Sequence, residues 1–190
     1  MKRLSLSIGL LLIAISVQAA ETNQVRNPFT PLQISLWNPV QLAPEKWDVL
    51  GLRLNLLYGK NVAVKGIDIG LVNSARRFEG IQIGLFNTVS GMSMMPFSFP
   101  TYPTSTGIQI GSINYVLGNF DGIQIGGNVN SVFRRVRGIQ LAVINQAGDM
   151  RGLQIGLINN ARTMVGVQIG AINTITESPV PFFPIINAHF

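Results

Sequence analysis

Residues 31 to 187 repeat one short phrase, Gly-Ile-Gln-Ile-Gly-Leu-Ile-Asn, in ten variant copies. The copies start at Pro31, Gly51, Gly66, Gly80, Gly107, Gly122, Gly138, Gly152, Gly166 and, in degraded form, Val180. Most steps are 14 or 15 residues, and the last three are all 14. A fixed short period means one small unit stacked many times, each copy covering its neighbour's apolar surface. The Ile-Gln-Ile core of each copy alternates apolar and polar side chains, the mark of a half-buried strand. No sustained helical period follows residue 20, so the chain is expected to be all-β.

Each copy is counted from position 0 at its leading glycine. Positions 1 and 3 are apolar. Position 2 is Gln33, Gln82, Gln109, Gln124, Gln140, Gln154 and Gln168, broken only by Arg53 and Asp68. Position 4 is small or turn-forming, and position 7 is usually asparagine. A β-solenoid of about ten short coils uses such a unit directly, stacking like positions about 4.8 Å apart. The expectation places glycines 0 and 4 at corners, positions 1 and 3 inward and the Gln column outward in water. Asn73, Asn87, Asn114, Asn145, Asn159 and Asn173 would form a ladder, each amide bonding the next coil. Arg53 and Asp68 would stack as an exposed pair of opposite charge, which contributes at most about 1 kcal/mol.

A ten-stranded antiparallel β-barrel is the alternative, and the terminal Phe190 suits it. Its apolar stripe would cover only positions 1, 3 and 5, about 12 Å of the roughly 25 Å apolar band of a membrane barrel. Pro179, Pro181 and Pro184 also crowd the strand that would close it. These points favour the solenoid.

The first nineteen residues read as a signal peptide. Lys2 and Arg3 precede an apolar run from Leu4 to Val17, and Val17-Gln18-Ala19 offers a cleavage site. The mature chain, 20–190, is then one exported repeat domain of the cell envelope: outer membrane, cell surface or periplasm. Losing Lys2 and Arg3 takes the formal charge from +6 to +4, so the basic balance reflects few acids rather than many bases. Absence of cysteine excludes disulfides and thiolate metal sites.

Gly-Leu-Gln-Ile-Gly-Leu-Ile-Asn at 152–159 and Gly-Ile-Gln-Ile-Gly-Leu-Phe-Asn at 80–87 resemble the repeats of bacterial exported surface repeat-containing proteins. The opening Gln33-Ile34-Ser35-Leu36-Trp37-Asn38-Pro39-Val40, the second repeat Gly51-Leu52-Arg53-Leu54-Asn55-Leu56 and the Pro-aromatic ending are similar to that family too. The resemblance implies a cell-envelope or surface address, and no activity, cofactor or catalytic residue comes with it.

Catalysis is not expected. The single histidine, His189, is penultimate, and the acids are scattered singly rather than clustered as metal sites require. No catalytic, cofactor-binding or metal-binding residue is assigned. Two departures from the repeat are the candidate contact regions. The insert 91–106 carries Met92, Met94, Met95, Phe97, Phe99 and Tyr102, an apolar loop suited to a partner or a membrane. Arg76, Arg77, Arg134, Arg135, Arg137, Arg151 and Arg162 lie in comparable inter-strand segments. Stacking would align them as an anion-facing strip for lipopolysaccharide phosphates or an acidic glycan. Export makes nucleic acid an improbable partner. The function expected is an exported structural or binding protein. A small outer-membrane barrel acting as pore or anchor, and a β-helical carbohydrate-active enzyme, are the other classes.

Overall fold

The computed structural model describes residues 27–90 and 103–190. They form one eight-stranded sheet wound into coils. Its strands are β1 (Phe29–Trp37), β2 (Val40–Gln41), β3 (Asp48–Val89), β4 (Thr104–Val116), β5 (Asn119–Leu141), β6 (Ile144–Ile155), β7 (Ile158–Ile175) and β8 (Phe182–His189). Like positions pair in parallel: Gly80 with Gly107 with Gly122, and Gln82 with Gln109 with Gln124. The fold is a β-solenoid of about nine turns. Parallel register from coil to coil overturns the barrel alternative, whose neighbouring strands would run antiparallel.

Among the described residues, antiparallel pairing occurs only at the two ends, β2 on β1 and β8 on β7. The degraded copy at Val180 is therefore not a tenth coil. Its strand β8 runs backwards along the last coil, so Asn187 lies opposite Gln168 instead of joining Asn173. At the other end Gln33 closes the stack by a reciprocal pair with Ala43, Nε2 to the carbonyl at 2.9 Å and the amide to Oε1 at 2.8 Å. Lys60 donates to Glu45 at 2.8 Å, tying that end to the next coil and holding the Glu45 carboxyl below the usual carboxylate range.

The expected inside and outside are reversed. Gln124 is 0% exposed and Ile125 is 40% exposed, and the same inversion holds along both columns. Alternation shows that two faces differ; it does not show which one is interior. The glutamines go inside because stacking lets each amide satisfy its neighbour, so burial leaves little polar capacity unpaired. The rest of the interior is apolar and complementary in size. Position 9 supplies Ala75, Val116, Ala147 and Ala161, and the residue two before the next glycine supplies Phe78, Phe120, Met150 and Met164. Small alanines sit in the coils that carry Phe78, Met150 and Met164, so in those coils a small side chain faces a large one.

The two glycine columns are small for different reasons. Gly122 has φ +148°, and a Cβ there would stand 1.9 Å from the Gly107 carbonyl oxygen of the coil below. Conformation and space both demand glycine at position 0. Gly170, at position 4, has no positive φ, contrary to the expected corner; a Cβ there would meet the Gly156 carbonyl at 2.0 Å. Only close approach excludes a side chain at that position, and Ala142 occupies it in another copy.

Candidate functional site

Two amide ladders run the length of the interior. In the first, Gln109 donates Nε2 to Gln82 Oε1, Gln124 to Gln109, Gln140 to Gln124, Gln154 to Gln140 and Gln168 to Gln154, each at 2.8 Å. The second is the expected asparagine ladder, from Asn73 through Asn87, Asn114, Asn145 and Asn159 to Asn173. Sequence reasoning missed two of its members. Asn55 starts the ladder from position 4, donating to Asn73 at 2.8 Å. Asn130 joins between Asn114 and Asn145 because the coil at Gly122 holds one extra residue, taken up as a bulge. From Asn73 to Asn159 each asparagine also donates to a strand-end carbonyl of the next coil, as Asn159 does to Ile169 at 2.9 Å.

The ladders point in opposite directions. Glutamines donate toward the N-terminus and asparagines toward the C-terminus, so their aligned dipoles oppose one another. Asp68 sets the first direction. It is an acceptor-only anion at the base of the Gln column, and Gln82 turns its amide hydrogens toward it at 2.7 Å. Every later oxygen then faces the next coil, and the last, Gln168 Oε1, is buried without a partner.

Arg53 and Asp68 do stack in register, but in the core rather than in water. Both side chains are 0% exposed. Arg53 Nε and Nη2 reach the two Asp68 oxygens at 2.7 and 2.6 Å, a bidentate pair. Arg53 Nη1 adds Asn61 at 3.2 Å and the Ser74 carbonyl at 2.9 Å. Asn55 adds a fourth hydrogen bond to Asp68 at 3.0 Å. A charged pair can replace two glutamines here because every polar atom keeps a partner.

Substituting Asn159 by Ala removes the donor to Asn173 Oδ1 and to the Ile169 carbonyl. The Ile169 carbonyl keeps the Gly156 N–H at 3.0 Å, so the expected loss is about 1–3 kcal/mol for the one buried acceptor left unpaired, Asn173 Oδ1, read from urea unfolding. A change below about 0.5 kcal/mol would mean that the ladder contributes nothing.

The exterior is divided by chemistry. From Gly51 onward, positions 1, 3, 5 and 6 all face solvent, and nearly all are Ile, Leu, Val or Phe. Ile81, Ile83, Leu85 and Phe86 show one coil's contribution. No charged side chain points out of this wall; the two charges in its sequence, Arg53 and Asp68, point inward. The one polar break is Ser112 and Asn128, joined to each other at 2.6 Å. A typical monomer's largest apolar patch is about 300–600 Å². This wall, roughly 40 Å by 20 Å from coil spacing and residue rise, covers about 800 Å² in plan. The apolar columns were read in the sequence but placed in the core, so the largest surface feature went unseen.

The arginines do not form one strip. Arg137 stacks on Arg151 beside the glycine column, while Arg135 lies in register with Asp149 in another column. Arg162 bridges Asp149 and Glu177, the latter at 2.9 Å, and hydrogen bonding to Glu177 with Asp149 alongside raises its pKa. Arg76 lies near Glu45, Arg77 follows it in the same coil, and Arg134 belongs to the coil led by Gly122. Interleaved acids break the array that stacking alone was expected to produce.

Met92, Met94, Met95, Phe97, Phe99 and Tyr102 lie outside the described residues, as does the leader. Asp68 and Glu79 do not converge: Asp68 is interior, and Glu79 bridges Lys65 outside at 2.8 Å. His189 Nδ1 lies 3.0 Å from the Met164 carbonyl on the edge strand. Among the described residues, no three of His, Asp and Glu come together as metal ligands would. No protein-family model, curated protein or solved structure matches the chain.

Proposed function

We propose that the protein is an exported structural repeat protein of the cell envelope, acting by binding through its apolar wall rather than by catalysis. The observation that carries this reading is the placement of the aliphatic columns on the outside of a rigid, internally bonded scaffold. Exposed aliphatic surface on this scale is unfavourable in water, and amides already fill the core, so the wall is not a by-product of packing. The signal-like leader and the resemblance to exported surface repeat proteins support the address.

Serine at Ile83 and Ile110 tests the reading. The expected result is loss of association with the envelope fraction in cell fractionation, with a stability change of only about 0.5 kcal/mol per exposed site. Mass spectrometry of the mature chain should show Ala20 at its start. A variant that melts far earlier would show the wall to be core. Unchanged fractionation would deny it a binding role.

A further inference from the structure

We infer that the occupant of the apolar wall is a second copy of this chain, packed wall to wall with its coils stacked in the opposite direction. The inference rests on the wall being a contact surface and names its partner. Standard interfaces bury about 800 Å² of accessible surface on each partner, and a wall of about 800 Å² in plan is large enough to supply that. Two flat sheet faces pack about 10 Å apart by interdigitating side chains, and columns repeated every coil provide matching ridges and grooves.

The polar break fixes the symmetry. Eight coils are led by glycines of positive φ, and Gly107 and Gly122 lead the fourth and fifth. Ser112 and Asn128 belong to those two coils, so the break lies at the midpoint of the eight glycine-led coils. A twofold axis running across the coils at that level sets the pair against its own copy. A closed twofold contact needs such a self-complementary patch. A single polar pair in an apolar seam selects register, as a lone asparagine does in coiled coils. The same axis places Glu79 opposite Arg137 of the second copy, twice. It also sets Lys65 opposite Arg151, where Lys65 is already bridged to Glu79. A lipid surface fits less well. The rim beside the glycine column mixes Glu79 and Asp121 with its cations, and Ser112 with Asn128 would enter hydrocarbon unshared.

Sedimentation of the purified mature protein should show a dimer at micromolar concentration. Replacing Ile110 and Ile125 by Lys should weaken self-association at least a hundredfold. The chain has no cysteine, so single thiols report geometry without the lysine variant. A short bis-maleimide should link Ser112→Cys chains to one another. It should also link Ile69→Cys to Ile155→Cys in a mixture, but not Ile69→Cys to itself. A monomeric wild type overturns the inference, as does self-linking of Ile69→Cys, which requires coils stacked in the same direction. Binding of the monomer to phosphatidylethanolamine–phosphatidylglycerol vesicles, lost in the lysine variant, would make lipid the occupant. That outcome ends the dimer while leaving the wall a binding surface. Failure of the serine variants to alter envelope association would remove both.

Discussion

Replacing Asp68 by Gln should destabilise the protein by about 3–5 kcal/mol, the range for stripping the partner from a buried charge. Arg53 is fully buried, and its guanidinium would be left with neutral acceptors only: Asn61, the Ser74 carbonyl and the new amide oxygen. Replacing Arg53 by Gln should cost a similar amount by leaving the Asp68 carboxylate with neutral donors. The double change to Gln at both positions should return close to wild-type stability or exceed it, because it extends the neighbouring glutamine ladder through the two odd coils. Buried ion pairs are commonly matched by neutral replacements of similar size. The coupling, several kcal/mol in a double-mutant cycle, should persist in 1 M salt, since a buried pair is poorly screened. Additive single effects, or coupling erased by salt, would place the pair at the surface.

The coiled stack was legible because a period of 14 or 15 with glycine, glutamine and asparagine at fixed positions leaves few other ways to satisfy the backbone. The asparagine ladder followed from the same logic. Its additions, Asn55 and Asn130, were hidden because each is displaced from position 7. The Gln column was misplaced by an appeal to polarity alone. A signal was available: apart from Arg53 and Asp68, position 2 is always Gln in the first nine copies, while positions 1 and 3 drift among Ile, Leu and Val. A column facing water has no need of one particular amide, whereas a buried ladder does. The replacement of Gln by an opposite pair, Arg53 and Asp68, is also what burial requires. The split of the arginines was not legible, because it depends on where Asp149 and Glu177 fall when inter-strand segments of unequal length are stacked.

The inside-out core is the feature on which the wall, the ladders and the proposed partner all depend. Unfolding free energies of Ile125→Asp and Gln124→Asp, measured side by side in urea, test it most directly. Gln124 is 0% exposed between Gln109 and Gln140. Asp there would bury a carboxylate with no arginine beneath it and leave Gln109 Oε1 without a donor. The expected cost is about 3–5 kcal/mol. Ile125 is 40% exposed, so Asp there should change stability by no more than about 1 kcal/mol. A large loss at Ile125 with little change at Gln124 would put the aliphatic columns inside and contradict the fold's assignment of its two faces.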